Sequence, residues 1–327
     1  MKRRPGIFAP SVGGIRRLAL AWLLSLACAL PAAAGADRVS VYPAYGDGVS
    51  LTIEGRVVES RDGPLAAADD GRLRNLWRNF RLWINDERKR VPVDLTVGES
   101  SMRTCTDDEG YFRLQTSQVL PAGWHEIAAS SAKGVGRGRL LVVPQANRLG
   151  MISDLDDTIL VSEVTSKPRL LANSFLKNST QRQAVPGMAA LYARTLAANP
   201  QPASAPLFYL SASPRQLFET IDEFLAGNGF PAGVLITKRV TDDASSDPLF
   251  DQFAYKTRQI EVILERLPWV RFVLVGDDGE RDPEIYDWVR RRHPERVAEI
   301  WIRRVRGDGG APLPPGQKAL PAVLAGE

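Results

Sequence analysis

From Arg148 onward the chain alternates short apolar runs with segments of helical period, and this alternation restricts it more than any other feature. Runs at 149–153, 207–211, 234–237, 272–275 and 297–302 are four to six residues long, continuous in apolar character and β-rich, as strands buried on both faces require. Between them Leu217, Ile221, Phe224 and Leu225 form one helical stripe, and Ile260, Ile263, Leu264 and Leu267 another; residues 188–197 read as a third helix. Strand, helix, strand in this order predicts an α/β fold with a parallel sheet covered on both faces.

In open α/β sheets, ligands gather beyond the carboxyl ends of the strands, so the polar residues that end each run are informative. The first run ends in Asp154, Leu155, Asp156, Asp157 and Thr158, the second in Ser211, and the fourth in Gly276, Asp277 and Asp278. Lys256 opens the helix before the fourth run. Carboxylates, a hydroxyl and an ammonium then face one crevice. Several ionised aspartates in one place repel each other and raise each other's pKa, and a divalent cation relieves this. Carboxylate oxygens without histidine or thiol suit Mg²⁺. A lone DxD is ordinarily a turn or cap; three strand ends and a helix-borne lysine, matched in order, make the catalytic reading the stronger one.

The DxDxT at 154–158, Ser211 after an apolar strand, Lys256, and Gly276, Asp277, Asp278 with Asp282 beyond resemble the four motifs of the haloacid dehalogenase phosphohydrolases. The stretches ISDLDDTI, VPGMAALY, FYLSASP, YKTRQIEVIL and VGDDGERDPEIY are more closely similar to the catalytic domain of the actin-patch-protein type of phosphatidate phosphatase. GRVV, TDDEGYF and GWHEI upstream resemble the β-domain that precedes it in bacterial members. Two departures stand out: Tyr255 occupies the place of a histidine before the lysine, and GDDGE replaces GDSGQ. The resemblance implies a haloacid-dehalogenase-like Rossmannoid sheet with a minimal cap. It also implies an aspartyl-phosphate mechanism in which Asp154 attacks phosphorus and Asp156 is acid and then base. Mg²⁺ would be held by Asp154, the Asp156 carbonyl and Asp277, with Ser211 and Lys256 on the phosphoryl oxygens. Thr158 would support the turn; Asp278 and Asp282 would lie behind the metal or position Lys256, with a helix start as the competing reading, since Asp282 precedes Pro283 and suits an N-cap.

Upstream, runs at 49–58, 91–97, 111–114, 125–129 and 139–143, separated by turn clusters, predict an antiparallel β-sandwich. The acids at 106–110 are too few at ligand spacing for calcium and read as a turn into a strand. Leu73, Leu76, Trp77, Phe80 and Ile84 recur at helical spacing beside Arg72, Arg74, Arg78 and Arg81, giving a basic amphipathic helix that either docks on the protein or lies on an anionic membrane surface.

At the start, a basic stretch precedes an apolar run at 18–30 and then Pro, Ala and Gly, the order of a secretory signal, with an uncleaved anchor as the alternative. This organisation predicts a signal over 1–36, a β-sandwich-like domain over 37–146, a catalytic domain over 147–306 and a mobile tail over 307–327, in an exported, periplasmic or secreted protein. Residues 1–36 hold five basic residues and no acid, so removing them takes the formal charge from +4 to −1. A global electrostatic case for nucleic acid goes with them. Cys105 is then the lone cysteine, so no intrachain disulfide is expected. His125 and His293 are too far apart for HExxH spacing, which argues against a histidine-rich zinc site.

Between Thr158 and Ser211 lie 52 residues, and between Ser211 and Lys256 lie 44, neither leaving room for a large cap. An open crevice favours phosphate on a bulky carrier. The expected activity is therefore hydrolysis of phosphatidate or a related phospholipid at a membrane surface. The alternatives are an exported phosphatase of phosphoproteins or other phosphoesters, and a non-catalytic surface-binding module on a degenerate core.

Overall fold

A computed structural model describes residues 36–60, 87–160, 183–241, 246–248, 251–306 and 310–320. The signal-like segment up to residue 35 and the basic amphipathic helix at 73–84 lie outside the described residues. Among the described residues no helix is long and apolar enough to cross a membrane.

Eight strands precede the first catalytic motif: β1 (Asp37–Val41), β2 (Ala44–Gly46), β3 (Ser50–Glu59), β4 (Pro92–Val97), β5 (Ser100–Cys105), β6 (Tyr111–Ser117), β7 (Gly123–Ser130) and β8 (Val135–Val142). They form one sheet in the order β1-β3-β6 and a second in the order β2-β8-β7-β4-β5. Alternation in β4, whose Val93, Leu95 and Val97 are fully buried between exposed neighbours, supplies half of a core shared with Leu51, Ile53, Val57 and Phe112 of the other sheet. One correction applies to the antiparallel expectation: β2 runs parallel to β8. The sheets also come very close where β8 passes β1, because a Cβ at Gly136 would lie 2.0 Å from the Val39 carbonyl oxygen.

The third sheet holds β9 (Leu149–Ser153), β10 (Leu207–Pro214), β11 (Val234–Lys238), β12 (Arg271–Asp277), β13 (Val297–Arg303) and β14 (Lys318–Ala319), all parallel, in the order β11-β10-β9-β12-β13-β14. The α/β expectation therefore holds. Four helices accompany it among the described residues: α1 (Met188–Leu196), α2 (Phe218–Gly227), α3 (Gln252–Arg266) and α4 (Asp282–Arg292). Two apolar clusters lie on either side of the strands. Ile260, Ile263 and Leu264 of α3 and Ile285 and Val289 of α4 fill one with Phe208, Phe272 and Leu274, while Tyr192, Ile221 and Phe224 fill the other with Met151, Leu207 and Val273. Strand order reverses at β9, so the crevice beside its carboxyl end is where a ligand site is expected.

Within the segment expected as a mobile tail, residues 317–320 are held in place. Lys318 and Ala319 pair with Trp301 and Ile302, Leu320 is buried, and Gln317 Nε2 donates to the Pro283 carbonyl at 2.7 Å. A Gly- and Pro-rich composition weakens regular structure but does not prevent a short segment from completing an exposed sheet edge.

Candidate active site

Asp154 follows β9 directly, its N–H donating to the Val275 carbonyl of β12 at 2.8 Å. The chain then turns sharply: the Leu155 carbonyl accepts from Thr158, Ile159 and Leu160 N–H, and Asp157 takes the left-handed conformation at φ 57°. Arg303, at the end of β13, donates to the Asp157 carbonyl and holds that turn. Asp154 and Thr158 are buried, whereas Asp156 is half-buried.

Lys256, in the second turn of α3, is fully buried. Its Nζ donates to Asp154 Oδ1 at 2.7 Å and to Asp282 Oδ1 at 2.6 Å. Asp277 ends β12; its Oδ1 accepts the Gly279 and Glu280 N–H groups, and its Oδ2 accepts from Thr158 Oγ1 at 3.3 Å. Asp282 accepts at Oδ2 from the Asp277 N–H at 3.4 Å. Gly276 makes this approach possible, since a Cβ there would stand 2.4 Å from Asp282 Oδ2. Carboxylate oxygens of Asp154, Asp277 and Asp282 all lie within 4.8 Å of one another.

Three buried carboxylates share one ammonium, and the electrostatics follow from that. Burial drives the Asp154 carboxyl well above its ordinary range; Lys256 opposes this, while Asp282 and Asp277 add to it. Asp277 is pushed up to about 8 by burial and then by Asp282. Burial likewise raises Asp282 against the pull of Lys256. Burial alone would lower Lys256, but the Asp154 and Asp282 carboxylates overcome it and raise its pKa well above normal. One acceptor is conspicuous: Asp154 Oδ2 is buried and has no hydrogen-bond partner among the described residues.

Asp154, Thr158, Lys256, Asp277 and Asp282 thus meet at one point. Ser211 is fully buried within β10, three residues before the strand ends, its Oγ accepting the Ser213 N–H at 3.0 Å. Asp278 turns away: its Oδ1 accepts the Val305 and Arg306 N–H groups and its Oδ2 lies 2.8 Å from Arg304 Nε, so it ties the end of β13 to that of β12. The competing reading of Asp282 as an N-cap does not hold, since the N-cap is Arg281 and the Asp282 side chain joins Lys256 as the third carboxylate. Lys238, the last residue of β11, is buried over the Tyr255 ring with Nζ donating to the Pro248 carbonyl at 2.7 Å. Tyr255 itself is core.

Residues of the ISDLDDTI, VPGMAALY and VGDDGERDPEIY stretches to which the sequence assigns no catalytic role complete the frame. Ser153 Oγ donates to the Asp154 carbonyl at 2.6 Å and shares a 2.6 Å hydrogen bond with Tyr192 Oη. Tyr286 Oη donates at 2.9 Å to the Val275 carbonyl that receives the Asp154 N–H. Their helical spacing marks Tyr192 and Tyr286 only as core positions.

Residues 149–304 match the family described as Phosphatidate phosphatase APP1, catalytic domain. Over 155 residues the chain is 32% identical to Phosphatidate phosphatase APP1 of Saccharomyces cerevisiae, a stretch covering 47% of this chain and 26% of that protein. Over 221 residues it is 28% identical to the Uncharacterized protein C29B5.04c of Schizosaccharomyces pombe, covering 64% and 35%. The chain thus spans about a quarter to a third of the length of these curated relatives. Asp154, Lys256, Asp277 and Asp282, carried by the end of β9, by α3, by β12 and by α4, all lie inside the stretch that is similar to the phosphatidate phosphatase APP1 catalytic domain.

Proposed function

We propose that this protein is a Mg²⁺-dependent phosphomonoester hydrolase of the haloacid dehalogenase type, with phosphatidate or a related lipid phosphate as substrate. The observation that carries the reading is the buried Asp154 Oδ2, unpartnered among the described residues, beside Asp277 and Asp282. A carboxylate oxygen in that setting is held for a ligand. Three ionised carboxylates and one ammonium leave two negative charges, which a hard divalent cation balances, and the donor set is all oxygen. Asp154, Asp277 and Asp282 would hold Mg²⁺, which supplies charge neutralisation and Lewis acidity at the phosphoryl group when bound. The Asp156 carbonyl keeps its place in the set, and Asp282 is added to it.

The residues of the chain divide the work. An oxygen of Asp154 attacks phosphorus, the bond from phosphorus to the alkyl oxygen breaks, and Asp156 gives that oxygen its proton. Water then attacks the aspartyl-phosphate, Asp156 takes its proton, and the bond from phosphorus to Asp154 breaks to release inorganic phosphate. Asp156, deprotonated by the first step, is thereby ready as the base of the second and ends the cycle protonated as it began. Ser211 and the remaining N–H of Lys256 bind phosphoryl oxygens in the transition state. The strand order around β9 and the name of the yeast relative both support this assignment. The basic, apolar leader supports export, which would put the reaction on the outer side of a membrane.

The test is phosphate release from phosphatidate vesicles by the full-length protein with Mg²⁺. Release should disappear with chelator and in Asp156→Asn. Vigorous cleavage of soluble phosphoesters with none of phosphatidate vesicles refutes the lipid assignment; no release from any ester, with Mg²⁺ present, refutes the enzyme.

A further inference from the structure

A cleft of about 390 Å³ opens between the first two sheets and the third, walled by the end of β11 on one side, α3 on another and the β1–β2 connection on a third. Arg113, Arg215, Arg239, Arg258 and Arg266 line it. Against them stand two carboxylates, Glu54 and Asp247, and both are already engaged. Glu54 Oε2 accepts from Arg215 at 2.8 Å, and its Oε1 lies 3.7 Å from Arg113. Asp247 takes Arg258 and the N–H of Arg239.

Two guanidinium groups retain unused donors. Arg239 reaches Asp107 at 2.7 Å through Nη2, but its Nε is buried with no hydrogen-bond partner among the described residues. Arg266 lies over the Tyr45 ring, 5.1 Å from its centroid, and meets no carboxylate among the described residues. Stacking recurs along the cleft: Arg215 lies 4.9 Å from the Tyr42 centroid and Arg239 lies 4.4 Å from that of Tyr111. A stacked guanidinium keeps its edge donors free and gives up little further entropy when an anion arrives.

Helix α3 links this cleft to the catalytic end. Lys256 points into the carboxylate cluster, while Arg258, Val262 and Arg266 recur every four residues along the cleft and span about 12 Å. Their charge is opposite to that of the catalytic cluster, which calls for a cation. We infer that the cleft is a second anion site that takes a phosphate-bearing ligand independently of the carboxylate cluster. The ligand is a free phosphate or pyrophosphate, or the head group of an anionic lipid, and in both the recognised group is a phosphoryl dianion on paired arginine edges. This assignment stands whether or not the carboxylate cluster hydrolyses phosphatidate.

The test titrates full-length protein with inorganic pyrophosphate by calorimetry in chelator, where the carboxylate cluster repels the anion. Wild type is compared with the pair Arg258→Gln/Arg266→Gln and with the corresponding Lys pair. Saturable binding should weaken about tenfold or more in the Gln pair, less in the Lys pair, and should fall with salt. Turnover of a soluble phosphomonoester should be unchanged in both. Flotation with phosphatidylcholine vesicles, with and without phosphatidate, separates the sources: loss of phosphatidate-dependent flotation in the Gln pair identifies a head group, and its retention identifies a free phosphate. Equal pyrophosphate affinity in wild type and a folded Gln pair, or no binding in either, overturns the inference. Should that pair fail to fold, Arg266→Gln alone, which breaks no ion pair, decides the same comparison.

Discussion

Replacing Lys256 with methionine keeps most of the side-chain volume and removes the one ammonium buried among the carboxylates. Nζ lies 2.7 Å from Asp154 and 2.6 Å from Asp282, with both partners almost wholly buried. At an effective dielectric of about 20, each such contact is worth about 6 kcal/mol of Coulomb energy, offset by several kcal/mol of desolvation for each ion. The net cost of stranding the carboxylates is about 3–5 kcal/mol. Its pH dependence follows from the direction of the shifts. Lys256 holds Asp154 and Asp282 down, so in the variant both rise further above their unfolded values. A carboxyl raised in the folded state binds its proton more tightly there, so stability is lost as pH climbs from the unfolded value, near about 4, through the folded one. Urea unfolding of metal-free protein should therefore show a gap of about 3–5 kcal/mol near pH 8 that narrows toward pH 4, with the slope against urea unchanged. A gap under about 1 kcal/mol, or one flat across that range, would refute the electrostatic account of the site.

Asp277, at about 8, is protonated in much of the metal-free protein at neutral pH, so loading Mg²⁺ should release about one proton and bind more tightly as pH rises to that value. Calorimetry in buffers of different ionisation enthalpy measures this, and uptake independent of buffer counts against it. Gly276→Ala places a methyl 2.4 Å from Asp282 Oδ2 and 2.6 Å from its Cβ; stability should fall by about 1–3 kcal/mol by thermal melting, and phosphate release should fall with it. Tyr286→Phe loses the bond to the Val275 carbonyl and should cost about 1 kcal/mol in urea unfolding, with kcat falling while KM holds. An unaltered kcat in that variant would remove Tyr286 from the positioning of Asp154.

What was legible in the sequence divides by physical cause. The five major strands of the parallel sheet stand close to their apolar runs because burial on both faces leaves an uninterrupted apolar segment. β5 has no such mark: its six residues alternate only between half-buried and exposed, with Ser, Arg and Thr throughout. β1 and β2 are short, and β14 is two residues held by register rather than composition. At the site, Asp154, Lys256 and Asp277 are legible because each ends or opens an element. Asp278 and Asp282 are not separable by spacing, since both flank the start of α4. What separates them is tertiary: Gly276 leaves room on one side for Asp282, while Arg304 and the 305–306 backbone capture Asp278. The parallel pairing of β2 with β8 joins residues nearly 100 positions apart, which no local pattern encodes.

The pairing of Lys318 and Ala319 with β13 has a consequence for how these molecules behave in a crowded solution. Without it, Trp301 and Ile302 would present free ladder groups on a flank where another sheet could dock. Two residues of backbone shield that flank, so trimming the chain before Gln317 is a route to self-association that leaves every catalytic group in place.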